Sequence, residues 1–279
     1  MGIGDNRCPV ATRTLTFLAS LGRRFTHKVM TGVLAFQDYV LLSARGIAAI
    51  FTPPHYTREI MAQMDSMGVG SLSIVILTGT FTGMVLALQS AASLDAFGAR
   101  PYVGRLVSIS MVRELGPVLT ALMVTGRVGS GMAAELGSMV VTQQIDALRV
   151  LGSDPIRKLV APRILAGMVM VPILTVLSDA VGIFGGSLIS VTSLGLSWEF
   201  YWRSVGQTLV MNDFAMGLTK PVVFGFILTS VGCFTGLRTR GGTQGVGEAT
   251  TRSVVVASVV ILSSDFFMTK LLLAMFPVV

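Results

Sequence analysis

Residues 113–163 read RELGPVLTALMVTGRVGSGMAAELGSMVVTQQIDALRVLGSDPIRKLVAPR, and this stretch decides the class of fold. Its first twenty residues complete an apolar block long enough to cross a bilayer, which takes about 20 residues of helix. The polar part that follows is too charged for lipid, yet Leu136, Ile145 and Leu148 keep it helix-like, and Gly152 is a typical stop signal. The stretch therefore predicts a membrane helix followed by a short amphipathic helix outside the membrane.

The composition of the whole chain agrees with a membrane protein. Of its 279 residues, 52% are hydrophobic and only 13% are charged, with a mean hydropathy of +0.75. Soluble domains are about 25% charged, so an ordinary soluble enzyme, a disordered chain and a secreted disulfide scaffold are excluded. Cys8 and Cys233 are too far apart, and too few even with the two histidines, for a disulfide framework or a zinc site. We expect no metal and no cofactor.

The chain divides into an N-terminal segment and a membrane domain. Residues 12 to about 50 repeat apolar side chains at helical spacing beside several basic ones, which is typical of a helix lying in the membrane interface; a soluble helix packed on another element is the alternative. Residues 1–54 are thus predicted as a cytoplasmic N-terminus with an interfacial helix, and 55–279 as the membrane domain. Five apolar blocks can span the bilayer: roughly 69–92, 106–132, 160–191, 214–237 and 253–277.

The distribution of basic residues predicts the orientation. With a cytoplasmic N-terminus, the inside segments 1–68, 127–163 and 238–252 hold 15 of the 21 Lys and Arg, and the outside connections hold three. Basic residues collect on the cytoplasmic side of membrane proteins, so five crossings with the C-terminus outside are expected. The same rule explains the net charge of +7 without any nucleic-acid partner.

Glycines spaced four residues apart recur in the predicted spans and indicate where helices pack closely. In lipid, helices gain little from burying apolar surface and associate through small residues instead. Three such pairs are Gly79/Gly83, Gly182/Gly186 and Gly232/Gly236.

Motifs for enzymatic chemistry are absent from the sequence. No Gly-Lys dipeptide occurs, so no phosphate-binding loop of the GxxxxGK[ST] type is present, and neither GxSxG nor HExxH is found. The glycine-rich stretch GGTQGVGEATTR at 241–252 is predicted to be a tight cytoplasmic turn. We therefore expect no catalytic residues and no enzyme.

Ionisable residues within the predicted spans are the candidates for function, because each costs about 2.5–3.5 kcal/mol to insert. The candidates chosen among them are Arg113, Glu114, Asp179, Asp265 and Lys270. Two readings stay open: Glu114, Asp179 and Asp265 line a polar cavity, or they pair with neighbouring helices and specify packing. Pro117 removes the hydrogen bond to the carbonyl of Arg113, so a kink is expected there.

The residues 113–163 closely resemble the MlaE/YrbE permease family, the membrane subunits of MCE-type ABC lipid transporters. DAVGIFGG (179–186) and GGTQGVGEATT (241–251) resemble later motifs of that family. The likeness covers roughly 55–277. One departure is Gln143, where the family usually has Glu before QIDAL.

The resemblance implies an all-α integral membrane protein with an interfacial elbow helix, five transmembrane helices and a cytoplasmic coupling helix at about 135–152. It implies a homodimer in the bacterial inner membrane with a lipid-sized cavity, a separate ABC ATPase, a hexameric periplasmic MCE-domain protein and an accessory STAS-domain protein. The residues it implies for substrate binding are Leu86, Arg113, Glu114, Pro117 and Asp179. Those implied for ATPase coupling are Glu135, Gln143, Gln144, Ile145, Asp146, Leu148 and Arg149.

The leading hypothesis is therefore a permease that moves phospholipid or a related lipid between the inner membrane and the periplasmic side, powered by the partner ATPase. Two alternatives are a secondary transporter that relays protons through Glu114, Asp179 and Asp265, and a membrane scaffold that transports nothing.

Overall fold

The computed structural model describes Met30, residues 32–53 and residues 56–275. Within these residues all regular structure is helical, which confirms the predicted all-α class. The α-helices are α1 (Gly32–Ile50), α2 (Thr57–Asp95), α3 (Val103–Ser110), α4 (Gly116–Val124), α5 (Ser130–Val141), α6 (Gln144–Val150), α7 (Ala161–Thr192), α8 (Trp198–Thr208), α9 (Met211–Leu237) and α10 (Gly242–Met275).

Six helical stretches of the described chain are long and apolar enough to cross a membrane. Five of them correspond to the five predicted spans: Thr57–Asp95, Arg100–Val141, Ile156–Thr192, Met211–Leu237 and Gly242–Met275. Residues 276–277 of the last predicted span lie outside the described residues. The sixth is α1, the helix predicted to lie in the interface. Its 19 residues meet the same length and composition criteria, so its interfacial position stays a prediction.

The N-terminal part forms a unit of its own. The chain separates into Met1–Ala44 and Arg45–Val279, with the boundary inside α1. The predicted interfacial helix begins at residue 12, and the part before Met30 lies outside the described residues. Helix α1 ends at Ile50, three residues before Pro53, and a proline disrupts the interior of a helix.

The second span is one continuous helical stretch in which the spacing between hydrogen-bonded residues increases from four to five at two places. It contains π-helical turns at Met111–Leu115 and Thr125–Gly129, between α3, α4 and α5. Another π-turn, Ile156–Val160, precedes α7. Such turns are uncommon and are frequent at functional sites.

The glycine pairs pack helices together as predicted. A Cβ on Gly83 in α2 would collide with the carbonyl of Gly182 in α7, and one on Gly79 would meet Ser178. In α9, a Cβ on Gly236 would press on Leu136 of α5. Helices α7 and α9 form the centre of the larger unit, whereas α10 leaves most of its apolar surface exposed.

The expectation of a turn throughout 241–252 is wrong. Only Gly241 and Gly242 adopt the left-handed conformation of a tight turn, with φ of 93° and 67°, and α10 begins at Gly242. A Cβ on Gly245 would collide with the carbonyl of Arg240, so the turn requires a glycine at this position in the first turn of α10. The glycine-rich composition was taken as the sign of a turn, but at Gly245 it permits a close backbone approach.

Candidate functional site

The π-turn at Met111–Leu115 carries two adjacent charged residues of the second span, Arg113 and Glu114. Gly116 donates its backbone N–H to the carbonyl of Met111, which is the wide spacing of a π-turn. Pro117 has no N–H to offer the carbonyl of Arg113. That carbonyl instead accepts a hydrogen bond of 2.9 Å from Nζ of Lys220 in α9. The kink expected at Pro117 is thus a π-turn, and the carbonyl of Arg113 that the proline leaves free accepts its hydrogen bond from Lys220 of α9.

Lys220 is the centre of a buried charge cluster. Its Nζ donates to Oε2 of Glu114 at 2.6 Å and to Oγ1 of Thr269 at 2.8 Å, and lies 3.1 Å from Oδ1 of Asp265. The lysine side chain is only 2% exposed. We call Glu114, Lys220, Asp265 and Thr269 the Lys220 cluster; it ties the π-turn to α9 and α10. A lysine in lipid or an apolar interior is costly without such partners.

Arg113 forms a second link between the same elements. Its Nε donates to Oδ1 of Asp213 at 2.7 Å, and Asp213 is almost fully buried. Oδ2 of Asp213 also accepts the backbone N–H of Val210, which caps the start of α9. Arg113 and Glu114 therefore point to different partners, as their adjacent positions on a helix predict.

Sequence reasoning did not identify Lys220, Asp213 or Thr269. Asp213 and Lys220 are the sole acidic and basic residues of α9, and this isolation is a signal that could have found them. Asp213 pairs with Arg113, and Lys220 pairs with Glu114, which explains how both charges are tolerated between helices. These ion pairs favour the interpretation that the two residues specify helix packing. Glu114 nevertheless keeps 44% of its side chain exposed, so part of its carboxylate faces away from the cluster.

Leu86 lies in a groove beside this charged turn. Leu86 in α2 and Leu115 at the end of the π-turn line an open groove of about 300 Å³, together with Thr82, Val85 and Gln89. We call it the Leu86 groove. The structure thus brings two predicted substrate-binding positions, Leu86 and the turn that carries Glu114, to one region.

Asp179 lies in a different cavity, which we call the Asp179 cavity. It measures about 270 Å³, and its lining shares no residue with the Leu86 groove. Among the described residues, Oδ1 of Asp179 is buried and has no hydrogen-bond partner. Gly116 touches this carboxyl group, since a Cβ at Gly116 would collide with Oδ1, and Pro117 is buried in the next position.

The predicted coupling helix at 135–152 corresponds to two helices. Helix α5 ends at Val141, and α6 begins at Gln144 after a turn in which Gln143 adopts a left-handed φ of 58°. Gln143 is the position that departs from the family pattern. The predicted stop at Gly152 is present: its φ is 75°, and Ser153 donates its N–H to the carbonyl of Leu148, which closes the end of α6.

The residues predicted to couple to an ATPase differ in how they are held. Ile145 is 4% exposed and anchors α6 within the chain, and Leu148 is half-buried. Asp146 and Arg149 form an exposed ion pair of 2.9 Å, and Gln144 is exposed.

Two further features of this region were not predicted. Glu135 pairs at 2.7 Å with Arg163, a buried residue at the start of α7. Val150 and Leu151, at the end of α6, are 88% and 78% exposed although both are apolar. They form two adjacent exposed apolar side chains on a helix that is otherwise mostly polar.

Comparison with known proteins identifies the family. The family described as Permease MlaE matches residues 60–271, which include α6, the first four predicted spans in full and the fifth as far as residue 271. The chain belongs to the MlaE permease family. The resemblance found in the sequence is therefore confirmed.

Relatives of this MlaE-family permease cover most of its length. It is 42% identical over 234 residues to a probable ABC transporter permease protein of Rickettsia typhi, covering 84% of this chain and 90% of that protein. It is 43% identical to a probable ABC transporter permease protein of Synechocystis, covering 77% and 82%. It is 40% identical to the intermembrane phospholipid transport system permease protein MlaE of Haemophilus influenzae, covering 76% and 82%.

Proposed function

We propose that this multi-pass permease moves phospholipid or a related lipid between the bacterial inner membrane and the periplasmic side, driven by a separate ATPase subunit. One observation carries the proposal: α6, a short polar helix between two membrane-spanning stretches, ends in the exposed apolar residues Val150 and Leu151. A chain without a nucleotide-binding motif needs such a surface to receive work from an ATPase. The names of its relatives supply the lipid and the transporter class.

The lipid site is proposed at the Leu86 groove and the exposed side of Glu114. The groove is open and mostly apolar, which suits acyl chains, and Glu114 lies beside it for a headgroup. Arg113 and Pro117 hold the turn in place. Two copies of the chain would enclose the lipid between them, since α10 leaves its apolar surface largely exposed.

The ATPase contact is proposed at the outer surface of α6. Gln144, Asp146 and Arg149 supply polar contacts, and Val150 and Leu151 supply apolar area. Ile145 fixes α6 to the chain, Gln143 forms the turn before it, and the ion pair of Glu135 with Arg163 joins α5 to α7. Movement of α6 would then be transmitted into α5 and the second span.

Further partners and the orientation follow the family. A hexameric MCE-domain protein would lie on the periplasmic side, and a STAS-domain protein would join on the cytoplasmic side.

An interfacial α1 and five crossings would place the two termini on opposite sides of the membrane. Labelling Cys8 and a cysteine added at the C-terminus with an impermeant reagent in intact cells tests this; equal reactivity of both would show six crossings.

Proton-coupled transport is the less favoured alternative. A relay through Glu114, Asp179 and Asp265 needs carboxyl groups that exchange protons in sequence. Glu114 and Asp265 share Lys220, and Asp179 lies in an apolar cavity without an ion-pair partner among the described residues. A non-transporting scaffold would leave the Leu86 groove without a role.

The docking surface can be tested by co-purification of the ATPase with permease variants. The double variant Val150→Asp/Leu151→Asp should lose the ATPase, because two charges replace the apolar contact area. Phe97→Asp is a matched control, because Phe97 is as exposed as these residues but lies just after the C-terminal end of α2, in the connection to the second span. Retention of the ATPase by the double variant would contradict coupling through α6, and loss in the control would show a general folding defect.

A further inference from the structure

The ion pair between Glu135 and Arg163 lies at the base of the segment that carries α6. Arg163 is the third residue of α7, and its Nη2 lies 2.7 Å from Oε1 of Glu135 in α5. Along the chain, α6 and the turns at both of its ends lie between these two residues. The ion pair therefore closes the segment into a loop, and we call it the α5–α7 clasp.

Arg163 depends on Glu135 for its counter-charge. The arginine side chain is only 3% exposed, and its Nη1 donates to the carbonyl of Leu159 in the preceding π-turn at 2.8 Å. Among the described residues, Glu135 is the one acidic side chain within ion-pair distance of Arg163, and Nε of Arg163 has no hydrogen-bond partner. Removing one partner of a buried ion pair leaves an uncompensated charge, so Arg163 stabilises the position of Glu135 and of α5.

Helix α6 is joined to α5 and α7 through irregular turns. Before α6, Gln143 adopts a left-handed φ of 58°, and after it Gly152 has a φ of 75°. The π-turn Ile156–Val160 then precedes α7. In the described part of the chain, the backbones of α5 and α7 come close to each other at few points. The clasp is therefore the direct link between the two helices that flank α6.

These two flanking helices lead to the two walls of the Leu86 groove. Helix α5 continues the second span, which carries Leu115 on one wall. Helix α7 packs on α2, which carries Leu86 on the other wall, and a Cβ on Gly83 of α2 would collide with the carbonyl of Gly182 of α7. A displacement of α6 reaches both walls when α5 and α7 move together.

We propose that Arg163 is a positioning residue that, through Glu135, makes α5 and α7 move together when an ATPase displaces α6. The inference rests on the proposed function, because it takes α6 as the contact with the ATPase. Without the clasp, α6 moves without moving both walls of the Leu86 groove. ATP is then hydrolysed with less lipid transferred, although the ATPase remains bound to α6.

The amount of phospholipid transferred per ATP hydrolysed tests the clasp in liposomes that contain the permease, its ATPase and fluorescent phospholipid. We expect this ratio to fall about tenfold in Arg163→Met and in Glu135→Leu, the effect of one hydrogen bond to a charged group whose partner is half exposed. A loss of stability alone would lower both rates and leave the ratio unchanged. Arg203→Met is the matched control, because it breaks an exposed ion pair with Glu199 in α8, which follows the opposite end of α7.

The double variant distinguishes the clasp from a direct contact of Glu135 with the ATPase. Glu135→Leu/Arg163→Met should lower the ratio no further than either single variant, because both remove the same interaction. Glu135 is 55% exposed and can reach a partner, whereas the buried Arg163 cannot. A wild-type ratio in Arg163→Met, or loss of the bound ATPase in Glu135→Leu alone, would overturn the clasp.

Backbone hydrogen exchange of the permease alone in detergent tests the clasp without ATPase or lipid. In Arg163→Met, the amides of α6 and of Ile156–Val160 should exchange about tenfold faster, because local opening no longer breaks an ion pair, while those of α8 keep their rates. Arg163→Lys, which keeps a cation opposite Glu135, should exchange more slowly than Arg163→Met. Wild-type rates in Arg163→Met, or an equal rise in α8, would overturn the local role of the clasp. Absence of ATP-driven transfer by the wild-type complex would overturn the proposed function alone, since hydrogen exchange decides the clasp independently.

Discussion

Lys220→Met is the substitution with the largest expected effect on stability. It removes the buried ammonium group that contacts Glu114, Asp265, Thr269 and the carbonyl of Arg113. The methionine keeps most of the apolar stem of the lysine, so the change isolates the charge. Two carboxyl groups on different helices then face each other without a cation.

The magnitude follows from the burial of each partner. Breaking a buried ion pair by removing one partner costs about 3–5 kcal/mol. Asp265 is mostly buried, but Glu114 is 44% exposed and is partly compensated by solvent, which moves the estimate to the low end. The freed carbonyl of Arg113 loses its hydrogen bond as well. We expect Lys220→Met to lower the free energy of unfolding by about 3 kcal/mol.

The assay is equilibrium unfolding in mild detergent, with two comparison variants. Lys270→Met makes the same change at an exposed lysine of α10 and should alter stability by less than about 0.5 kcal/mol. The triple variant Glu114→Gln/Lys220→Met/Asp265→Asn should recover most of the loss, because it removes all three charges together. Unfolding of Lys220→Met within about 0.5 kcal/mol of wild type would refute the cluster as a stabilising element.

Three smaller effects test other parts of the structure. Gly83→Ala should destabilise the chain in the same unfolding assay, because the added Cβ would collide with the carbonyl of Gly182. Gly206→Ala is the control and should be neutral or slightly stabilising, because Gly206 has open space around it. Equal effects of the two substitutions would contradict the close α2–α7 contact. Gln143→Gly should leave the chain as stable as wild type or up to about 1 kcal/mol more stable, because glycine adopts the left-handed conformation of this position without steric strain. A loss of stability above about 1 kcal/mol would show that the glutamine side chain itself stabilises the turn. Tyr201→Phe should cost about 1 kcal/mol through its bond to the carbonyl of Ile183, measured by thermal unfolding, and no change would contradict that bond.

The membrane-spanning elements were predictable because bilayer thickness sets the length of an apolar helix. Each of the first four predicted spans lies within an observed helical stretch, as does the fifth up to Met275, and the helices extend beyond the predicted spans. Helix α2, for example, begins at Thr57 rather than near residue 69. Hydropathy records the part of a helix that lies in lipid, whereas backbone hydrogen bonding continues beyond it into polar sequence.

The charge cluster could be predicted only in part. The rule for proline gave the unsatisfied carbonyl at Arg113, and the cost of charge in lipid marked Glu114 and Asp265 as needing partners. The donor that meets all three is Lys220, more than 100 residues from Glu114 along the chain. Such a pairing depends on which faces of α9 and α10 meet the second span, and apolar spans with little amphipathic pattern do not encode those faces.

The coupling region shows how local signals can be right about the element and wrong about its continuity. The stop signal at Gly152 and the helical spacing both appear in α6. The break at Gln143 had no signal, because a glutamine with positive φ is uncommon. The break at Gln143 separates α6 from α5, so the segment predicted as one helix is two.

The most direct test of lipid transport uses the permease with its ATPase subunit, reconstituted in liposomes with fluorescent phospholipid. The account predicts transfer of the phospholipid to an acceptor when ATP is added. It predicts no transfer when a hydrolysis-deficient ATPase replaces the wild type, whatever the proton gradient. Transfer that follows the proton gradient and persists with the deficient ATPase would contradict it.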